Sequence, residues 1–121
     1  MSFSQTPYFS GTKTSLGDTG YIYVPTACQD GSTSCHLHVS FHGCEQTLDD
    51  IDNAYAKEAG FNRWAESNNI IVLYPYAKKS TMPSNPNGCF DWWAYTDKNY
   101  GTNEGVQMVF ARSLIKAVSG L

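Results

Sequence analysis

Hydrophobic and polar positions follow two different periods along this chain, and the change of period marks its elements. Tyr21-Ile22-Tyr23-Val24 is a short β-rich run stopped by Pro25. His36 to Phe41 alternates, with Leu37, Val39 and Phe41 on one face and His36, His38 and Ser40 on the other. Ile70-Ile71-Val72-Leu73-Tyr74 is continuously apolar and ends at Pro75, the pattern of a strand covered on both faces of a parallel sheet. Asp52 to Ala59 predicts a short helix closed by Gly60. Phe61 to Ser67 predicts a second, with Asn68-Asn69 as its stop. In Gly105 to Val118, residues Val106, Val109, Phe110, Leu114 and Val118 fall at helical spacing, and Ser119-Gly120 closes the helix. Strands with a helical crossover between them predict an α/β layer arrangement.

The intervening segments are turn-rich. Met1 to Thr19 is polar and predicts a loosely held N-terminal arm, which leaves residues 20–121 as the folded domain. Lys78 to Gly88 predicts a loop, with Pro83, Pro86 and Gly88, and Phe90 to Tyr95 is an aromatic cluster. The sequence holds no internal repeats or low-complexity blocks.

A chain of 121 residues suits one domain. Its net charge of −3 excludes the basic footprint expected of a nucleic-acid binder. Only 16% of residues are charged, while 14% are aromatic. That balance fits a secreted protein or one that faces a neutral, apolar substrate. No stretch approaches the length of a membrane-spanning helix. The first twenty residues contain no apolar run of the kind found in a leader peptide.

There are four cysteines, none in a C-x-x-C pair, which argues against a zinc ribbon or a thioredoxin-like motif. Two disulfides or free buried thiols both remain open on count alone; the even number favours disulfides and an oxidising compartment. His36 and His38 form an H-x-H on one strand face without an evident third ligand, so no metal site is expected. No cofactor is expected either.

Four segments in order carry a family resemblance. They are Gly20-Tyr21-Ile22-Tyr23-Val24-Pro25 with Cys28 and Cys35, and Leu37-His38-Val39 leading to His42-Gly43-Cys44. Next comes Gly60-Phe61-Asn62-Arg63-Trp64-Ala65 with Asn68-Asn69 and Leu73-Tyr74-Pro75. Last is Asn85-Pro86-Asn87-Gly88-Cys89-Phe90-Asp91-Trp92-Trp93 followed by Gly105-Val106-Gln107-Met108. Together they resemble the esterase/polyhydroxybutyrate (PHB) depolymerase family of the α/β-hydrolases, from about Gly20 to the C-terminus. The resemblance implies a partial α/β-hydrolase fold, a half-sheet of about three strands with flanking helices, in a secreted serine esterase acting on polyester or short-chain esters.

What the resemblance implies for residues is specific. The turn His42-Gly43-Cys44 corresponds to one that supplies a backbone N–H to the oxyanion of ester cleavage. Cys44 is then the donor, Gly43 allows a sharp turn and close substrate approach, and His42 supports the turn rather than acting as base. Of Trp92, Trp93 and Tyr95, at least one is expected to line the substrate cleft, since flat aromatic surfaces bury an apolar polyester well. Trp64 is expected in the core, and Asp91 in a turn or cap role. Disulfides Cys28–Cys35 and Cys44–Cys89 are expected, the first across a short turn, the second tying the oxyanion turn to the aromatic loop.

The departures are as informative. Gly-x-Ser-x-Gly is absent, and all three histidines lie in one strand and its turn. In the usual family order the nucleophile strand follows a helix like Val106–Val118; in permuted members the triad-bearing part precedes a segment like this one. The sequence therefore predicts an oxyanion turn and aromatic wall without the Ser-His-Asp triad, and no ester turnover by the chain alone. It also predicts self-association through an open sheet edge at Ile70–Tyr74. Two other readings stay open: a non-catalytic polyester- or lipid-binding module, and a secreted interaction protein.

Overall fold

A computed structural model describes residues 1–120. The chain forms strands β1 (Ser2–Ser4), β2 (Thr19–Tyr23), β3 (His36–Val39) and β4 (Ile70–Tyr74), and helices α1 (Leu48–Ile51), α2 (Ala54–Glu58), α3 (Phe61–Asn68) and α4 (Val106–Ser119). The four strands make one mixed sheet in the order β1-β2-β4-β3. β3 and β4 run parallel, with His36 opposite Ile70 and Val39 opposite Leu73, whereas β2 lies antiparallel to both β1 and β4. The fold is α/β, with a sheet of four strands rather than about three.

β4 explains the layering. Val72, Leu73 and Tyr74 are all about 1% exposed because both faces are covered. Val72 and Tyr74 point to a cluster with Ala56 and Ala65 from α2 and α3, joined by Tyr21, Tyr23, Tyr55 and Ile70. Leu73 points the other way, to Leu16 and to Phe110 and Leu114 of α4, joined by Ile22, Leu37 and Val39. The period-2 alternation of one strand thus joins two helical layers, and each such buried side chain contributes about 1.5–3 kcal/mol.

Several expectations are corrected. The first nineteen residues are not a loosely held arm. β1 pairs with β2 at Phe3 and Gly20, and Gln5 is fully buried, its amide donating to the Gly17 and Tyr76 carbonyls at 2.6 and 3.0 Å and accepting the Tyr76 N–H at 2.9 Å. Leu16 bridges to Ala77 and is 0% exposed. A polar segment is held here by backbone pairing and one satisfied amide, neither of which shows in hydropathy. β4 is not an open edge, since β2 and β3 pair with it on both sides; among the described residues the sheet edges are β1 and β3. The helix expected over Asp52–Ala59 is present as α2, Ala54–Glu58, and a further short helix, α1, precedes it and ends at Asp52, whose φ is 53°.

Trp64 is 65% exposed rather than core. The inward face of α3 carries Asn62, Ala65 and Glu66 instead. Asn62 joins the Ala56 carbonyl to the Tyr74 hydroxyl, and Glu66 accepts the Thr26 N–H and the Tyr23 hydroxyl. In α4 the buried stripe is Gln107, Phe110 and Leu114, and Val109 faces outward. Gln107 takes the inner position because its amide has three partners there, the Asp91 N–H, the Thr14 carbonyl and the Tyr95 hydroxyl.

Candidate functional site

The parallel pairing of β3 and β4 brings their carboxyl ends to the same edge of the sheet, where ligand crevices form in open α/β sheets. Two segments meet there: the turn Ser40–Thr47 after β3 and the loop 80–105 after β4. They are stapled at three points. Cys44 and Cys89 form a disulfide with Cα atoms 4.3 Å apart. The Glu45 N–H donates to the Asn87 carbonyl at 2.7 Å. Phe41 meets Phe90 edge-on, ring centres 5.1 Å apart. The second disulfide, Cys28–Cys35, closes the turn before β3, so both sequence-expected pairings are present.

Within the turn the backbone donors are unevenly committed. Gly43 N–H donates to the Gln46 side chain at 2.7 Å, and Glu45 N–H is held by Asn87. Between them, the Cys44 N–H has no acceptor among the described residues, and Cys44 is exposed. The residue in left-handed conformation is Glu45, with φ 59°, not Gly43. A Cβ on Gly43 would meet only the tip of Gln46 at 3.1 Å, so the turn itself does not require glycine at 43.

His42 is 4% exposed and wholly engaged with backbone. Its Nδ1–H donates to the Gly43 carbonyl at 2.7 Å, and its Nε2 accepts the Ala77 N–H at 3.1 Å. The ring lies among Tyr55, Tyr76 and Phe90, with centroid distances of 6.2, 5.0 and 4.9 Å. Burial holds its pKa below the usual histidine value, against the Gly43 carbonyl and the Asp50 carboxylate, which favour the charged form. Among the described residues, none of the three histidines hydrogen-bonds a serine or carboxylate side chain. His36 and His38 are exposed, with His38 stacked on Phe61 at 5.1 Å. No group of three or more metal-ligating side chains occurs among the described residues.

The aromatic loop is built around Asp91. Its carboxylate accepts the N–H groups of Trp93, Tyr95 and Thr96 and the Thr96 hydroxyl, at 2.5–3.2 Å. Burial raises the carboxyl pKa, but these hydrogen bonds outweigh it and hold Asp91 below the usual carboxylate range. The fold around that carboxylate turns Trp92 and Trp93 outward, 70% and 41% exposed, with ring centres 5.1 Å apart. Tyr95 turns inward instead. Its hydroxyl donates to the Cys89 carbonyl at 2.6 Å and accepts from Gln107 at 2.7 Å, and burial pushes its pKa up to about 12. Of the three aromatics, two present free surface and the third braces the loop.

Sequence reasoning passed over the polar anchors Asn85 and Gln107. Asn85 is fully buried and reaches Ser15, Lys78, Cys89 and Tyr95. The position of Gln107, three and seven residues before Phe110 and Leu114, was the available signal: a polar residue on an apolar stripe.

The chain matches proteins of one kind. A poly(3-hydroxybutyrate) depolymerase of Delftia acidovorans is 40% identical over 120 residues, covering 98% of this chain and 23% of that protein. A polyhydroxybutyrate depolymerase of Talaromyces funiculosus is 36% identical over 127 residues, covering 98% of this chain and 37% of the other. This chain is homologous to part of the PHB depolymerases. Solved structures agree. A PHB depolymerase complexed with an R3HB trimer superposes with a TM-score of 0.88 at 38% identity, over all of this chain and 41% of that one. The PHB depolymerase of Penicillium funiculosum superposes with a TM-score of 0.87 at the same identity and coverage. No family model matches the chain. It thus spans well under half the length of each depolymerase it resembles. Among the described residues no helix is long and apolar enough to cross a membrane.

Proposed function

We propose that this chain supplies one side of the ester-cleaving site of a secreted, PHB depolymerase-like serine esterase with an α/β-hydrolase fold. The observation that carries the reading is the uncommitted Cys44 N–H. Its neighbours in the turn are tied to Gln46 and Asn87, while it stands exposed at the carboxyl end of a parallel strand pair. Such a donor stabilises the oxyanion of a tetrahedral intermediate and contributes about 10²–10³ in rate. Gly43, without a side chain, leaves room for substrate beside that donor, and His42 supports the turn. Trp92 and Trp93 form an apolar wall for a polyester or short-chain ester, braced by Tyr95.

In this reading the nucleophile and base come from a triad-bearing segment outside these residues. A serine hydroxyl needs a base to take its proton, and the base needs a third group to hold its tautomer. His42 spends both ring nitrogens on backbone. The outer edge of β3 is where a further strand, or a second copy of the chain, would pair. The two disulfides support an oxidising, extracellular setting.

The test is complementation. The chain alone should neither turn over a short-chain ester nor be labelled at serine by a fluorophosphonate probe. Mixed with a separately expressed triad-bearing segment of a related depolymerase it should gain activity, and Gly43→Pro, which removes the N–H held by Gln46, should abolish that gain. Stoichiometric serine labelling of the chain alone would overturn the reading. A second reading, a polyester-binding module, is favoured by the exposure of Trp92 and Trp93; sedimentation with polyester granules without any rescue of turnover would select it.

A further inference from the structure

We propose that the neutral ring of His42 is the clamp that positions the Gly43–Cys44 turn, and that protonation of that ring releases the turn without unfolding the chain. The functional meaning rests on the reading of Cys44 as an oxyanion donor; the coupling is a property of the chain itself.

The geometry admits one protonation state. Nδ1 carries the proton that goes to the Gly43 carbonyl, and the Nε2 lone pair receives the Ala77 N–H. The turn after β3 is thereby fastened to the segment after β4 through one imidazole. A second proton, on Nε2, places two N–H groups against each other. Ala77 is 2% exposed, so its N–H then lacks an acceptor where water cannot supply one, an unfavourable state. The ring cannot turn to a new partner without leaving its aromatic surroundings. Phe90 offers no acceptor, the Tyr55 hydroxyl is already engaged with Phe41 and Ser40, and the one free hydroxyl among these rings, that of Tyr76, is buried without a partner among the described residues.

The groups around the ring act as follows. Tyr55 from α2 and Tyr76 after β4 are phenols, uncharged in the acid range. Asp50 from α1 is the carboxylate whose field reaches the ring, and it is ion-paired with Lys79 and bonded by Thr47. Burial opposes the charged ring and prevails over the Gly43 carbonyl and Asp50. The disulfide to Cys89 and the Glu45–Asn87 hydrogen bond do not depend on His42. Protonation therefore loosens the Gly43–Cys44 peptide, which carries both the Gly43 carbonyl and the Cys44 N–H, while the Cys44 side chain and Glu45 stay anchored, a local event.

The experiment is a pH titration of the isotope-labelled chain by nuclear magnetic resonance, following ring nitrogens and backbone amides. At neutral pH the His42 ring should carry its proton on Nδ1. As pH falls, it should titrate with a midpoint below 6.5, and the Ala77 and Cys44 amide shifts should move with that midpoint while the Val72 amide in β4 stays still. His42→Gln, an uncharged side chain with a carbonyl acceptor, should remove that transition from the Ala77 and Cys44 amides. Titration of His42 with those amides unmoved overturns the proposal. So does a ring that stays neutral until the whole chain unfolds, or an unchanged transition in H42Q. If H42Q does not fold, the unsubstituted chain still decides. None of these readouts requires ester turnover. A turn that titrates as described in a chain that complementation cannot activate would uphold the clamp and reject the oxyanion role.

Discussion

The side chain of Asn85 grips the peptide of Cys89 from both ends: Nδ2 donates to the Cys89 carbonyl at 2.9 Å and Oδ1 accepts the Cys89 N–H at 3.0 Å. The same Nδ2 lies 2.9 Å from the Ser15 hydroxyl. One amide thereby fixes the point at which the disulfide to Cys44 leaves the loop, and ties it to the N-terminal segment. Asn85→Ala should destabilise the chain by about 2–4 kcal/mol, because it strands several buried groups at once. Urea unfolding followed by far-ultraviolet circular dichroism measures this; a change below about 0.5 kcal/mol would show that the network is not needed.

Gly88 and Thr47 set the distance between the turn and the loop. Gly88 has φ +61°, and a Cβ there would overlap the methyl of Thr47, which is 1% exposed. Gly88→Ala meets both an unfavourable backbone region and a clash with a buried neighbour, so it should cost about 2–4 kcal/mol. Gly43→Ala, by contrast, faces only the end of the Gln46 side chain and should stay within about 1 kcal/mol of the parent. Thermal unfolding of the two variants side by side checks the contrast.

The Asp91 carboxylate should make the aromatic loop acid-labile. Against the effect of burial, the hydrogen bonds it accepts hold its pKa below the usual carboxylate value in the folded chain. The stability it contributes is therefore present above the unfolded pKa and is lost as pH falls through the lower, folded value. Asp91→Asn cannot accept from all four donors, and should flatten that acid limb while shifting the fluorescence of Trp92 and Trp93. An acid limb of unchanged slope in D91N would assign the lability to another carboxylate.

The two disulfides should differ in weight. The Cys44–Cys89 pair closes a separation of 45 residues, the Cys28–Cys35 pair one of 7. Chain entropy assigns about 4 kcal/mol to the long loop and about 2.5 kcal/mol to the short one. Replacing Cys44 and Cys89 together by serine should lower the urea midpoint more than replacing Cys28 and Cys35. The reverse order would point to residual structure in the unfolded chain.

Local pattern and family likeness determined much of this protein in the sequence alone. Ile70–Tyr74 reads as a doubly covered strand because an uninterrupted apolar run has no polar side to offer water, and the structure buries it on both faces. The helix after Gly105 and the stop at Asn69 follow from spacing and from residues that tolerate a left-handed cap. The two cysteine pairings were expected from the chain's likeness to a known family and from the turns that they close. Tertiary structure decided what rests on long-range polar contacts. Gln5, Asn85 and Gln107 look like surface residues in sequence, yet each is buried because backbone groups from elsewhere in the chain converge on its amide. That convergence turned Tyr95 inward while Trp92 and Trp93 face out. Backbone pairing of β1 with β2, and of β2 with β4, drew the N-terminal segment into the sheet and left β3, not β4, at an edge. Hydropathy records the cost of leaving water, residue by residue; a hydrogen-bond partner many positions away cancels that cost, and only the folded chain shows where the partner is.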